Sequence, residues 1–179
     1  MLERMSHRGA CGCEANTGDG AGILIQIPHE FFTNECNKLG IKLPAYGQYA
    51  VGLVFFPRDP KAREECRTVL NRQIKKMKMS LLGYRLLPTR NDEIGETALR
   101  AEPVMEQIFI KRPESITDPD AFERKLFVLR KYTTRIVTES VQGVNNQFYF
   151  SSLSYKTIAY KGMLTSRQLK HYFADLEHE

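Results

Sequence analysis

Two thiols, an imidazole, a guanidinium and two carboxylates fall within one sixteen-residue stretch. It reads His7-Arg8-Gly9-Ala10-Cys11-Gly12-Cys13-Glu14-Ala15-Asn16-Thr17-Gly18-Asp19-Gly20-Ala21-Gly22. A thiolate beside an imidazole is the chemistry of nucleophilic catalysis, and a guanidinium suits an anionic group. Cys11 with His7 as base is one such pairing, but no third group is at hand to fix the imidazole. Cys11 and Cys13 are spaced as C-x-C rather than the C-x-x-C of zinc and redox sites, and no second pair accompanies them. Arg8 can tie the loop to a carboxylate such as Asp19 or Glu14, a task that its planar guanidinium suits. His29, His171 and His178 show no ligand spacing.

The glycines need their own account, because each costs conformational entropy on folding. Gly18-Asp19-Gly20-Ala21-Gly22 precedes an apolar strand instead of following one, and it lacks the Lys-Ser/Thr of a phosphate loop. It is not expected to hold a nucleotide. It is expected to let backbone pass close to backbone at the entrance to a strand.

The elements that must position this loop follow from periodicity. Leu2 and Met5 suit the end of a helix before it. Ile23 to Ile27 predicts a buried strand. Pro28 opens a helix with Phe31, Phe32, Cys36 and Leu39 inward, and Gly40 ends it. Tyr49 to Phe56 is a strand. Asp59-Pro60 caps a helix running to about Met79 through Cys66, Val69, Leu70, Ile74 and Met77. Leu81 to Leu87 is a strand, residues 89–101 are irregular or briefly helical, and Val104 to Ile110 is a strand. Asp118-Pro119 repeats the cap, with Phe122, Leu126, Leu129, Ile136 and Val137 inward to about Val141. Gln147 to Leu153 and Thr157 to Lys161 predict a hairpin. Thr165 to Gln168 is a capping box that starts a last helix. From Tyr49 to Leu153 the order is strand, helix, strand, strand, helix, strand, which alone suggests a ferredoxin-like sandwich.

Composition bounds the function classes. With 179 residues, 42% hydrophobic and 26% charged, the chain can bury one real core. A mean hydropathy of −0.39 and the lack of a long apolar run predict no membrane span. No secretory leader is visible in Met1-Leu2-Glu3-Arg4. Four cysteines without a leader point to reduced thiols in a cytoplasmic setting. The net charge of +5 is spread along the chain. Its densest run, Arg72 to Lys78, reads as a solvated helix face, so nucleic acid is not an expected partner.

The segment from His7 to Pro28 resembles the opening signature of the glutaminase domain of the glutamate synthase large subunit. That domain is a class II glutamine amidotransferase of the N-terminal-nucleophile (Ntn) hydrolase type. Tyr49 to Pro57, Glu102 to Ile110, Phe122 to Leu126 and Tyr160 to Leu164 resemble further family segments in family order. The resemblance implies an α+β fold of four layers, α/β/β/α, with stacked antiparallel sheets, here incomplete. The 1–179 chain would be part of that domain, with a possible ferredoxin-like, family-specific insertion at about 45–140. It implies hydrolysis of L-glutamine, with the ammonia used to aminate 2-oxoglutarate reductively. It also implies that Arg8, and secondarily His7, organise the site.

The family nucleophile is a cysteine at the mature N-terminus whose own amine is the base. Met1 stands first here, and the family motifs HSRFSTNT and HNGEIN are not found. The expectation is therefore an internal fragment that is inactive alone. No cofactor is expected in this chain. FMN and an iron–sulfur cluster are implied for the parent enzyme, and the remaining synthase domains are the implied partners. The compartment is expected to be the cytoplasm, or a plastid in a photosynthetic eukaryote. A free-standing, non-catalytic α/β binding module on the same scaffold, or a different class II amidotransferase, are the alternatives.

Overall fold

The computed structural model describes Glu14 and residues 16–144 and 147–177. It is an α+β structure with two antiparallel sheets. The elements run β1 (Ala21–Gln26), α1 (His29–Lys38), β2 (Tyr49–Phe56), α2 (Pro60–Lys76), β3 (Ser80–Leu86), α3 (Glu96–Ala101), β4 (Val104–Lys111), α4 (Pro119–Ser140), β5 (Tyr149–Ser154), β6 (Thr157–Gly162) and α5 (Gln168–Tyr172). A 3₁₀ turn at Ala174–Glu177 follows. The chain divides into two compact units.

The larger unit, residues 25–86 and 103–158, carries the four-stranded sheet in the order β3-β4-β2-β5, antiparallel throughout. Read from the other edge, its strands come fourth, first, third and second along the chain. With helices between the first two and the last two, this is the split β-α-β plan expected from element order alone. The helices begin where the sequence places them. Asp59 accepts a hydrogen bond from the Ala62 N–H at 2.8 Å, and Asp118 accepts from Asp120 N–H and Ala121 N–H at 2.9 and 3.1 Å. In each case proline follows in the first turn.

One face of this sheet packs on α2 and α4 through Ala50, Phe56, Leu70, Ile108, Ile110, Phe122, Leu126, Leu129 and Val137. On β4, Phe109 takes the Phe32 ring of α1 edge-on at 5.5 Å. The alternation along β4 also aims two buried polar side chains in opposite directions. Glu106 pairs with Arg67 of α2, and Gln107 accepts from Arg85 Nη1 at 2.7 Å. Arg85 also donates to Glu35 of α1 at 3.0 Å. Pairing is what makes these buried charges tolerable.

The smaller unit, residues 1–24, 87–102 and 159–179, carries α3, α5 and the 3₁₀ turn among its described residues. Its β6 pairs with β1 in a two-stranded sheet. Tyr160 and Phe173 stack edge-on at 5.3 Å, and Tyr160 donates to Asp175 at 3.0 Å.

Four expectations are corrected. β5 and β6 do not form a hairpin: β5 pairs with β2 and β6 with β1. The short Tyr155-Lys156 connection thus passes the chain from one sheet to the other. β1 is not a buried strand: it alternates between half-buried and exposed, and Leu24 is 65% exposed. Leu39 does not face inward but stands exposed as the C-cap of α1. Finally, α2 stops at Lys76 rather than near Met79. Lys78 turns left-handed at φ 55°, while Met79 N–H bonds Ile74 C=O at 3.1 Å and Lys78 N–H bonds Lys75 C=O at 2.9 Å. That is a Schellman ending with lysine in the place glycine usually takes.

Candidate functional site

The described part of the glycine-rich loop, Glu14 and Asn16 to Gly22, lies in the smaller unit. It is held by two partner segments of that unit. The first is the stretch from Glu93 to Thr97. Asn16 C=O accepts from Gly95 N–H at 2.9 Å. The Glu14 carboxylate accepts from Thr97 N–H at 3.2 Å and from Thr97 Oγ1 at 3.0 Å. Gly95 is the N-cap of α3 and has no side chain to offer, so Glu14 supplies the missing acceptor from across the unit. Glu14 also accepts from Thr17 Oγ1 at 2.7 Å. The Thr17 bond first, then those of Thr97, hold its carboxyl below the usual glutamate range.

The second partner is the turn before α5. Gln168, which is 8% exposed, donates from Nε2 to Asn16 C=O at 2.9 Å and to Glu93 C=O at 2.7 Å. Its Oε1 accepts from Thr165 N–H at 2.8 Å, which is one arm of the expected capping box. One amide side chain therefore joins three segments.

The glycines act as the sequence predicts. A Cβ on Gly18 would stand 2.3 Å from Leu164 C=O, and one on Gly22 would stand 2.8 Å from Lys161 Cβ. A Cβ on Gly95 would stand 2.0 Å from Thr17 Oγ1. Gly20, at φ +146°, uses a backbone conformation that favours glycine. The loop is built for close backbone approach.

The predicted site residues Arg8 and His7 lie outside the described residues, as do Cys11 and Cys13. Asp19 is exposed, whereas Glu14 is committed to Thr17 and Thr97. Cys36 and Cys66 are fully buried in the larger unit, and burial pushes each thiol up to about 11. A buried neutral thiol is a packing group and not a nucleophile. His29 hydrogen-bonds the Tyr49 hydroxyl at 3.1 Å.

Sequence reasoning saw no partner for His171. Its Nε2 lies 2.9 Å from Asp92 and 4.0 Å from Glu93. The Asp92 bond raises the imidazole pKa. These three ligand atoms lie within 4.8 Å of one another, but Asp92 and Glu93 are exposed and Arg90 brings a positive charge. The arrangement is that of a surface ion pair tying the 89–93 stretch to α5. Sequence reasoning gave Gln168 only its capping box and Glu14 only a tie to Arg8; their partners Asn16 and Thr97 lie 152 and 83 residues away and leave no periodic signal. No helix among the described residues is long and apolar enough to cross a membrane.

The family model for class-II glutamine amidotransferases matches residues 1–179. The chain is similar to the glutamate synthase [NADPH] large chain of Bacillus subtilis, at 40% identity over all of this chain and 11% of that protein. It is 36% identical to the glutamate synthase [NADH] of Schizosaccharomyces pombe, over 98% of this chain and 8% of that protein. It is 34% identical to ferredoxin-dependent glutamate synthase 2 of Synechocystis, over 97% of this chain and 11% of that protein. The chain thus spans about a tenth of the length of these relatives. The signature loop, its seat of close-packed backbone and the match over every residue agree: the chain belongs to the class II glutamine amidotransferases, the family whose fold is that of the Ntn hydrolases.

Proposed function

We propose that this chain is part of the glutamine-hydrolysing domain of a glutamate synthase. The observation that carries the reading is the amidotransferase match over residues 1–179, joined to glutamate synthases as the relatives. In the complete enzyme the domain splits L-glutamine and water into glutamate and ammonia. The ammonia then serves the reductive amination of 2-oxoglutarate to L-glutamate elsewhere in the same polypeptide, with the remaining synthase domains as its partners.

Hydrolysis needs a thiolate, a base and donors for the tetrahedral oxyanion. The thiols of Cys36 and Cys66 are too buried for that work, and the amines of Cys11 and Cys13 are tied up in peptide bonds. The nucleophile is therefore read as a free N-terminal cysteine of the mature enzyme, outside these 179 residues. The 179 residues alone release no ammonia from glutamine. Arg8 and His7 are its site-organising residues, since their place in the signature matches the family segment beside that cysteine. The middle of the chain, about 45–140, is a family-specific insertion.

FMN and an iron–sulfur cluster would supply the electrons for the reductive amination of 2-oxoglutarate in the parent enzyme. The described residues do not suit the cluster. It needs several thiolates together, and the two described thiols are buried with their pKa raised. Both cofactors are assigned to other domains. The cytoplasm is the proposed compartment, with the plastid its counterpart in a photosynthetic eukaryote.

The test is to read the gene on both sides and assay its full product with amide-¹⁵N glutamine. Labelled ammonia from the full product, and none from residues 1–179, is the expected result. A reading frame closed at both ends, with no cysteine available at a mature N-terminus, overturns it.

A further inference from the structure

The stretch from Thr89 to Ala101 was assigned no task by sequence, yet the loop of the signature sits on it. Six hydrogen bonds define the seat. Gly95 N–H and Gln168 Nε2 both bond Asn16 C=O, each at 2.9 Å. Gln168 Nε2 also reaches Glu93 C=O at 2.7 Å. The Glu14 carboxylate spans Thr97 N–H, Thr97 Oγ1 and Thr17 Oγ1 within 2.7–3.2 Å. Beyond these, Gly18 lies against the backbone of Leu164 and Thr165 so closely that a single Cβ has no room.

Glu14 and Asn16 to Gly20 form no regular strand or helix. Their position therefore depends on these few hydrogen bonds and on the close packing of Gly18 rather than on a ladder. The α2/α4 core cluster lies wholly in the larger unit and draws nothing from them. A seat of this kind can be loosened while the core stays packed.

We propose that Glu14 and Gln168 are positioning residues for the glutaminase reaction: they clamp the signature loop to the Glu93–Thr97 stretch, and the rate of hydrolysis depends on that clamp. Glu14 follows Arg8 by six positions. The inference rests on the proposed function. Neither residue touches substrate in this account; each acts through the loop.

A clamp that shifts by about 1 Å can cost up to about a hundredfold in rate, because near-attack geometry is steep in distance. The full-length enzyme carrying E14A should lose about tenfold or more in kcat for glutamine hydrolysis, with KM for glutamine moving less than about threefold. E14Q keeps an acceptor oxygen for Thr97 N–H and should recover part of the loss. T97V removes one bond without touching Glu14, and in the E14A background it should add nothing further. Q168A should act like E14A.

If E14A does not fold, T97V and E14Q carry the test, and each must lower kcat with the melting temperature nearly unchanged. Variants that melt earlier but keep kcat and KM within about twofold overturn the inference, because the clamp is then only structural. Full additivity of E14A and T97V in kcat overturns it too. A wild-type full-length enzyme that releases no ammonia removes the proposed function together with this inference, whereas an active wild type with unaffected variants removes this inference alone.

Discussion

Replacing Gly18 with alanine tests whether the signature loop is built for backbone contact. An added Cβ would lie 2.3 Å from the Leu164 carbonyl oxygen, 2.4 Å from its carbon and 2.5 Å from Thr165 nitrogen. All three atoms are backbone, so no side chain can swing aside. A carbon and a carbonyl oxygen settle near ~3.3 Å, so the segments must part by about 1 Å. That movement also pulls on the Thr165 N–H bond to Gln168 at 2.8 Å. Overpacking alone costs roughly 1–3 kcal/mol, and a strained bond beside it adds about 1 kcal/mol, so the expected loss is about 2–4 kcal/mol. Gly40 is the matched control. It sits at φ +72° with nothing within 4 Å of a built Cβ. Alanine there meets only the left-handed backbone penalty, roughly 1–2 kcal/mol. The chain contains no tryptophan, so urea unfolding is followed by far-ultraviolet circular dichroism. Gly18→Ala should lower the midpoint more than Gly40→Ala. Equal or smaller loss at Gly18 refutes the close-approach reasoning.

Three further outcomes follow from the packing and the charges. Arg85→Ala removes the bond to the buried Gln107 carbonyl oxygen and one of the two cations on Glu35, which keeps Lys38. It should cost about 1.5–3 kcal/mol in urea unfolding, whereas Arg85→Met, which keeps the apolar bulk, should cost less. His171 is raised by its bond to Asp92. A raised imidazole stabilises the fold fully below its ordinary value near ~6.5 and loses that contribution as pH climbs through the raised value. Thermal melts across this range should show a fall that His171→Gln abolishes, and a fall of the same size in the variant would exclude the pair as its source. Cys36 and Cys66, with thiols near about 11, should resist iodoacetamide in the native chain at pH 8 and react once urea unfolds it. Peptide mapping separates them from Cys11 and Cys13, and fast native labelling of either would contradict their burial.

What the residues alone could tell depended on how far each signal reached along the chain. Asp59-Pro60 and Asp118-Pro119 name their helices because a cap and a first-turn proline act within four residues. Gly18 and Gly22 were legible as close-approach positions because so many glycines in one loop have few other uses. The pairing of β5 and β6 was not legible. A two-residue link between two strands reads locally as a hairpin, and only the partner strands β2 and β1 decide otherwise. Long-range polar contacts were the least visible. Glu14 and Gln168 are ordinary residues in sequence, and their importance lies in Thr97, Asn16 and Glu93, to which no periodicity points. The same limit explains how the signature could identify a family and yet leave the distant partners of its own Glu14 unnamed. Motifs record residues that act near one another in sequence, whereas a seat is assembled from whichever segments the fold brings alongside. The E14A and T97V pair is therefore the informative comparison: if kcat responds to a threonine 83 residues from the loop, the Glu93–Thr97 stretch belongs to the amidotransferase machinery as much as the signature does.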